Sequence, residues 1–346
     1  MWKWIITLFI VILTTEIMHA QRKDSLDSQQ QSLINISALT ATGKLEALKI
    51  QLDEGLDNGL TINEIKEELV QLYAYCGFPR SLNAINIFKT VVEDRAARGI
   101  KDVDGKKIIV ENTPSDKYEQ GRKVLEELTR TGQSKPTPGF GEFVPRIDAF
   151  LKEHLFADIF VSDVLSYQQR ELVTIAALAS IPGVDGQLQS HINMGKNTGV
   201  TVAQLEQLAN LVERQVSITQ ANTVRQIIGT PLVPIVKPEM MVRISEIEIL
   251  PEYLEEYNAI LKQEASASLK LEEGVISIFP MYQKESATQI RIIEIYADKA
   301  AYQSHLKTPH FLHYKTTTLK MVKSLKLVDM ESLDKETMLE IFSKLN

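Results

Sequence analysis

Apolar residues recur every three or four positions between Ser32 and Leu56, with an interruption at Gly43. This spacing predicts two consecutive helices, since it places the apolar side chains on one helical face. Asn58-Gly59 predicts the end of the second helix, because Gly readily adopts the left-handed conformation that follows a last turn. Thr61-Ile-Asn-Glu64 is a capping box and predicts the start of a third helix, which Gly77-Phe-Pro79 interrupts.

The same helical pattern returns from Ser166 onward. The two copies align with an offset of 139 residues before the break between their first two helices and of 140 residues after it. We therefore expect an internal repeat of one all-helical unit, with the copies packed about a pseudo-twofold axis. The corresponding stretches are Ile36–Leu39 with Ile175–Leu178, Ala47-Leu48 with Gln187-Leu188, Gly55 with Gly195, and Gly59–Thr61 with Gly199–Thr201.

Between the copies, the stretch from Ser115 to Arg130 has a helical pattern, and Ser115 is its expected N-cap. Residues 131–145 are rich in Gly and Pro and predict a loop. Residues 147–156 predict a short amphipathic helix on which His154 is exposed.

The pattern changes after a Pro-rich stretch that ends near Met240. Val242–Leu250 alternates apolar and charged residues, as a half-buried strand does. The order of predicted elements that follows is typical of a ferredoxin-like α+β domain. These elements are a helix at 251–271, strands at 275–279 and 289–296, helices at 298–306 and 309–321, and a last strand at 322–328.

The predicted architecture is therefore multidomain, an all-α duplicated domain followed by an α+β domain. The predicted segments are a secretory signal peptide at 1–20, a first helical repeat at 25–97, a linker and helix at 98–146, a second repeat at 147–228, a Pro-rich linker at 229–240, a ferredoxin-like domain at 241–330 and a C-terminal tail at 331–346.

The first twenty residues have the composition of a signal peptide. Lys3 precedes an apolar run from Trp4 to Leu13, and Ala20-Gln21 is a plausible cleavage site. We expect export to the periplasm or the medium, with no membrane segment after cleavage. An uncleaved anchor is the alternative, because Met18 is a poor residue at the position three before the cut.

Charge and cysteine usage exclude some functions. The net charge of −7 comes without a basic cluster, so nucleic-acid binding is not expected. The single cysteine, Cys76, can form no intramolecular disulfide and no CxxC pair. A buried structural thiol is favoured over a reactive one.

The second repeat contains a candidate acid/base pair. Glu171 lies near the start of one predicted helix and His191 lies on the next, so that a carboxylate and an imidazole can meet. The aligned residues in the first repeat are Ser32 and Gln51. We therefore expect Glu171 and His191 as catalytic residues, with an ordinary packed or surface histidine as the alternative.

The first repeat contains Tyr75-Cys-Gly-Phe-Pro-Arg80, which has no counterpart in the second. Our hypothesis is a composite site to which the first copy contributes Tyr75 and Arg80. Divergence of a redundant copy is the alternative. Arg80 or Arg170 is expected to bind a substrate carboxylate by two hydrogen bonds, although Arg170 could instead be a surface ion-pair partner.

Several stretches together resemble the carboxymuconolactone decarboxylase family in duplicated form, over residues 30–226. The resemblance implies an all-α fold, a symmetric homo-oligomer and an acid/base role for Glu171 and His191. Relatives that are thiol peroxidases have a CxxC where this chain has Val184 and Gln187, so peroxidase activity is not expected, and Gln187 is a candidate substrate-binding residue. The stretches are Arg170-Glu171-Leu172, Gln187–His191, Gly199–Thr201 and Tyr75–Arg80 with Asn83-Ala84.

Residues 241–330 resemble the antibiotic biosynthesis monooxygenase domain, which usually dimerises through its sheet. The segments concerned are Ile295–His305 and Thr308–Phe311. The resemblance implies a pocket formed by Tyr302, His305, His310 and Phe311, in which His305 or His310 could accept a proton from a phenol. Packing or surface roles are the alternative. His310 and His313 have a metal-ligand spacing but no third ligand nearby, so no metal site is expected.

The sequence thus predicts a cofactor-independent enzyme that acts on a small cyclic acid, lactone or quinol-like molecule. Decarboxylation needs no cofactor where the carbanion is delocalised into a neighbouring carbonyl. The alternative is a small-molecule-binding or assembly protein that has lost activity but still forms homo-oligomers.

Overall fold

The computed structural model describes residues 24–108, 114–233, 239–331 and 333. The predicted signal peptide and most of the predicted C-terminal tail lie outside these residues. The chain divides into two compact units between Val233 and Pro234, a position within the predicted linker at 229–240. Each unit is described separately below. Within the described residues, no helix is both long and apolar enough to cross a membrane.

The first unit, called the helical unit, is all-α in its described residues, as predicted. The described part of this unit has ten α-helices, which are α1 (Ser28–Thr42), α2 (Leu45–Asp57), α3 (Ile62–Ala97), α4 (Lys117–Thr129), α5 (Phe140–Phe143), α6 (Pro145–Ala149), α7 (Tyr167–Ala179), α8 (Asp185–Thr198), α9 (Val202–Gln215) and α10 (Ile218–Ile228), with a π-helix (Phe150–Ile159) between α6 and α7.

The capping signals act where the sequence places them. Thr61 forms a capping box at the start of α3, and Thr201 forms one at the start of α9. Gly77 interrupts α3 with φ 81° and ψ 158°, a conformation that residues with a Cβ rarely adopt. The predicted break is therefore present, but the two halves of α3 follow each other without a loop.

Two local predictions between the repeats are wrong. The N-cap of α4 is Asp116 and not Ser115, because the Asp116 carboxylate accepts a hydrogen bond from the Glu119 amide at 2.9 Å. The stretch 131–145 is not entirely loop, since it contains α5. The helix predicted at 147–156 is present as the π-helix, preceded by α6.

The repeats meet through their first helices. The Ser37 hydroxyl on α1 donates a hydrogen bond to the Val173 carbonyl on α7 at 2.6 Å. Each copy also has a glycine where its second helix crosses its first. A Cβ at Gly55 would lie 3.2 Å from Ile36 Cδ1, and one at Gly195 would lie 3.0 Å from the aligned Ile175 Cδ1. The matched contacts show that the sequence repeat is also a structural repeat.

The second unit, called the C-terminal unit, has the predicted ferredoxin-like fold. Its sheet is antiparallel with the strand order β2-β3-β1-β4. Tyr257, Leu261, Ile290 and Ile292 form part of a core between the sheet and the helices. The elements are β1 (Met241–Ile249), α11 (Leu254–Leu271), β2 (Val275–Gln283), β3 (Ser286–Tyr296), α12 (Lys299–His305), α13 (Pro309–Thr318) and β4 (Val322–Met330).

Candidate functional sites in the two units

Glu171 and His191 form a buried pair in the helical unit. The Nδ1 atom of His191 lies 2.8 Å from Glu171 Oε2, within hydrogen-bond distance. The Glu171 side chain is fully buried, and His191 is 7% exposed. Among the described residues, the second carboxylate oxygen of Glu171 has no hydrogen-bond partner. The structure thus brings together the two side chains that the sequence singled out, in a site almost closed to solvent.

The local sequence explains why the pair forms. Ser166 begins α7 with a capping box, and all ten residues from Arg170 to Ala179 are buried, which fixes the helix in the core. Gly195 on α8 allows the two helices to approach closely, because a Cβ there would lie 3.0 Å from Ile175 Cδ1 on α7. The first repeat has the same backbone arrangement at Gly55 and Ser32 but no acid/base pair.

Tyr75 extends the site from the first repeat to the second. Its ring meets the His191 ring edge-on, with the centroids 5.4 Å apart and an interplanar angle of 82°. Its hydroxyl is buried inside the helical unit. Burial, and secondarily the nearby Glu171 carboxylate, raises the pKa of Tyr75, so that the hydroxyl stays protonated. Tyr75 of the first repeat thus contacts His191 of the second repeat.

Arg80 lies on the other side of the Gly77 break and is exposed. It lines a shallow depression together with Tyr75, Cys76 and Pro182. Its guanidinium makes no hydrogen bond or ion pair with the described residues. Burial raises the pKa of the neighbouring Cys76 thiol to about 11, which favours the structural role expected for this cysteine. Arg80 is thus close to Tyr75 and free to contact a ligand.

Arg170 does not have the position expected of a substrate-binding residue. Its side chain is fully buried, so it is not a surface ion-pair partner either. One terminal nitrogen donates to Gln71 at 2.8 Å, and the other donates to Glu67 and to the Ser162 carbonyl, each at 2.8 Å. Both nitrogens are occupied, which favours a structural role. Gln187, by contrast, is exposed on α8, one turn before His191.

The C-terminal unit contains a cavity of about 380 Å³ between the sheet and its helices. Three of the four side chains predicted for this pocket, Tyr302, His305 and Phe311, line it. The Tyr302 hydroxyl accepts a hydrogen bond from Arg243 at 2.7 Å. His310 lies outside the cavity wall.

A carboxylate that the sequence did not indicate joins the two histidines. Glu272 Oε1 lies 2.9 Å from His305 Nδ1 and 2.6 Å from His310 Nε2. These hydrogen bonds outweigh burial and lower the pKa of Glu272. On its other side, His305 Nε2 lies 3.7 Å from Glu264, and burial raises the pKa of that carboxyl. His313 is exposed and does not belong to this cluster.

Glu272 follows the last residue of α11 and lies 33 residues before His305 in the chain. No spacing rule connects residues that far apart. A carboxylate directly after a predicted helix end was the available signal, and it is a weak one. Glu264 and Glu294 line the cavity, and the sequence did not indicate them either. Both lie within elements whose pattern predicts only burial.

Comparisons with known proteins agree with this division. Residues 11–90 and 145–227 match the carboxymuconolactone decarboxylase family, and residues 240–317 match antibiotic biosynthesis monooxygenase. A 4-carboxymuconolactone decarboxylase of Acinetobacter baylyi is 31% identical over 72 residues, which are 21% of this chain. The match spans about half of that relative, 54% of its length.

Solved structures similar to part of this chain include two that are named as putative antibiotic biosynthesis monooxygenases. One, from Bacteroides thetaiotaomicron VPI-5482, is 50% identical, with 28% of this chain and 92% of that chain covered and a TM-score of 0.28. Another, from Nitrosomonas europaea, is 18% identical, with 28% and 94% covered and a TM-score of 0.27.

The fold and the two sites define a protein with a duplicated helical unit and a ferredoxin-like unit. Two segments of the chain match the carboxymuconolactone decarboxylase family, and a third segment matches antibiotic biosynthesis monooxygenase. The predicted resemblance to both families is thereby confirmed.

Proposed function

We propose that the helical unit is an enzyme that transfers protons to and from a small cyclic acid or lactone, with His191 as the general acid/base. The observation that carries this proposal is the 2.8 Å contact between His191 Nδ1 and Glu171 in a nearly closed site. An imidazole held by a carboxylate is a suitable proton carrier near neutral pH. The family match supports the substrate class.

In this proposal the two nitrogens of His191 have different roles. Nδ1 faces Glu171, so Nε2 is the nitrogen left for a substrate. Glu171 orients the ring and stabilises the imidazolium. When a carboxylate β to a carbonyl leaves as CO₂, the bonding electron pair moves into the carbonyl to give an enolate. The imidazolium of His191 then donates a proton to the carbon, and the neutral imidazole takes up a proton from water before the next turnover.

Tyr75 and Arg80 complete the proposed site from the first repeat. The Tyr75 hydroxyl is protonated and buried beside His191, so it can donate a hydrogen bond to a developing enolate oxygen. Arg80 is exposed next to Tyr75 and can pair with a substrate carboxylate. Arg170 has no part in binding, because Glu67 and Gln71 occupy it.

The test is turnover of a panel of small carboxylated lactones and β-keto acids, followed as CO₂ release and lactone loss. We expect His191→Gln and Glu171→Gln to lower kcat/KM by about 100- to 10,000-fold, the usual contribution of a general acid/base. Tyr75→Phe should lower it by about tenfold. The matched control is His154→Gln, since His154 is an exposed histidine of the same unit.

Two results would contradict the enzyme proposal. The first is equal turnover by wild type and His191→Gln. The second is ligand binding measured by calorimetry without turnover anywhere in the panel, which would favour the binding-protein alternative. Far-ultraviolet circular dichroism of each variant separates loss of activity from loss of fold.

The cavity of the C-terminal unit favours a second candidate function, the binding of a small molecule. A volume of about 380 Å³ is within the range of about 300–1,000 Å³ for small-molecule sites. The wall combines aromatic rings with His305 and Glu264, which suits a phenolic or quinol-like ring. Binding of hydroquinone and catechol by calorimetry tests this, and Phe311→Ala should weaken it about tenfold. Unchanged affinity in that variant would place the ligand elsewhere.

Export is part of the same proposal. The n-region, apolar run and cut site at residues 1–20 support it. N-terminal sequencing of the protein from the periplasmic fraction should begin near Gln21. Recovery of the intact N-terminus from the membrane fraction would favour the uncleaved anchor.

A further inference from the structure

The ends of three helices meet at one point in the C-terminal unit. Glu272 is the C-cap residue of α11, His305 is the last residue of α12, and His310 is the second residue of α13. One oxygen of Glu272 and one nitrogen of each histidine all lie within 4.8 Å of one another. Within the described residues, this is the one group of three or more His, Cys, Asp or Glu side chains with such an arrangement.

We propose that Glu272, His305 and His310 bind a divalent transition-metal ion such as Zn²⁺. The ligand atoms are Glu272 Oε1, His305 Nδ1 and His310 Nε2. Two imidazoles and one carboxylate, with a water in the fourth position, form a ligand set of the type found in open zinc sites. The ion would take the place of the protons that Glu272 now shares with the two rings.

The distances allow this exchange with small side-chain movements. The Glu272 oxygen lies 2.9 Å from His305 Nδ1 and 2.6 Å from His310 Nε2. Ligand atoms around a tetrahedral Zn²⁺ with bonds of about 2.0–2.1 Å lie about 3.4 Å apart. The Glu272 oxygen therefore needs to move roughly 0.5–0.8 Å away from each ring nitrogen, which rotation of the Glu272 and His310 side chains can supply.

Groups around the cluster support a metal site. A metal-bound histidine usually donates its other N–H to a carboxylate. Glu264 lies 3.7 Å from His305 Nε2, slightly beyond hydrogen-bond distance, and the Ser268 hydroxyl donates to that same Glu264 oxygen at 2.9 Å. His305 is 3% exposed in its side chain, whereas His310 is 17% exposed. The ion and its water can thus enter from the His310 side.

The sequence predicts no metal site when only His310 and His313, which share one helix, are considered. The structure instead groups His310 with Glu272, the C-cap residue of α11, and with His305 of α12. His313 is exposed on the helix that holds His310. It therefore provides a matched control for nonspecific binding by a surface histidine.

The experiment is titration of untagged, chelator-treated full-length mature protein with Zn²⁺ by calorimetry, with bound metal counted after gel filtration. We expect one Zn²⁺ per chain. Glu272→Gln and His310→Ala should each weaken binding at least tenfold, and His313→Ala should leave it unchanged. Co²⁺ is a second probe, because its visible absorption reports nitrogen and oxygen coordination and should disappear in the same two variants.

The proposal is overturned if the wild-type protein binds no Zn²⁺ at micromolar concentration. It is equally overturned if Glu272→Gln, His310→Ala and His313→Ala all bind as the wild type does. Thermal unfolding without metal shows whether each variant is folded. If Glu272→Gln does not fold, His310→Ala, which changes the more exposed ligand, provides the test. Neither result bears on His191, which lies in the other unit.

Discussion

Glu68 is a fully buried carboxyl group of α3, and neither of its oxygens has a hydrogen-bond partner among the described residues. Burial raises the pKa of Glu68 well above its ordinary value, so the folded protein holds this side chain protonated. The unfolded chain releases the proton at the ordinary carboxyl pKa. The contribution of Glu68 to stability is therefore complete at acidic pH and is lost as the pH rises towards its folded pKa.

We therefore predict that Glu68→Gln raises the thermal unfolding midpoint at pH 8 and has less effect at pH 5. The amide has a similar shape and cannot ionise, so the variant avoids the cost that rising pH imposes on the wild type. The measurement is circular dichroism against temperature at both pH values. Glu127→Gln, at an exposed position of α4, is the control. An equal shift at both pH values would contradict the protonated-carboxyl account.

Single residues also show what a sequence can predict about a site. Glu171 and His191 were identified because adjacent helices in a repeat bring their faces together, and the first copy shows the same positions without the chemistry. Arg170 was misjudged because its burial depends on Glu67 and Gln71, about a hundred residues earlier in the chain. Charged residues in an amphipathic pattern suggest a solvent-exposed position, and only tertiary structure shows a buried pair.

At the scale of elements, α4 and the π-helix approach each other closely at Gly121. A Cβ at this glycine would lie 1.7 Å from the Lys152 carbonyl oxygen, which is backbone and cannot move aside. The same region holds the Lys152 ammonium, which is fully buried and lies 2.9 Å from the Asp148 carboxylate. These two helices can therefore pack this closely only because Gly121 has no side chain.

Gly121→Ala should therefore lower the stability of the helical unit by at least about 1–3 kcal/mol, the usual cost of overpacking. Gly186→Ala is the matched control, since Gly186 is also helical but has nothing within 4 Å of a built Cβ. Its stability should be unchanged or slightly higher, because Ala is the better helix former. Chemical denaturation followed by circular dichroism compares the two. Equal stabilities would show that the close approach is not required.

Helices and strands were predictable to the extent that their signals are local. The capping boxes at Thr61 and Thr201 and the break at Gly77 depend on neighbouring residues, and the structure has them at those positions. The sheet of the C-terminal unit followed from the alternation in β1. The metal-ligand cluster did not, since Glu272 meets His305 and His310 only after three separate helix ends have been placed.

At the scale of the molecule, the duplication explains where the proposed active site lies. The first copy supplies Tyr75 through α3, and the second supplies Glu171 and His191 through α7 and α8. One copy thus contains the acid/base pair, and the other forms part of the wall around it. Removal of either copy should abolish the site.

Assembly of whole chains is a further prediction, since both families imply homo-oligomers. Exposed apolar side chains concentrate between α5 and the π-helix, where Phe143 is 89% exposed. Such a cluster is unusual on a monomer surface. Sedimentation equilibrium of the mature protein should therefore give a multiple of the chain mass. A monomer at micromolar concentration would contradict the expectation.

The central claim is proton transfer by His191, and hydrogen–deuterium exchange at a substrate carbon tests it most directly. A small cyclic keto acid or lactone is incubated with the protein in D₂O, and loss of the hydrogen next to the carbonyl is followed by NMR. The account predicts exchange catalysed by the wild type and by His154→Gln, and exchange at least about 100-fold slower with His191→Gln. Exchange at the same rate with wild type and His191→Gln, or no catalysed exchange with any ligand that binds, would contradict it.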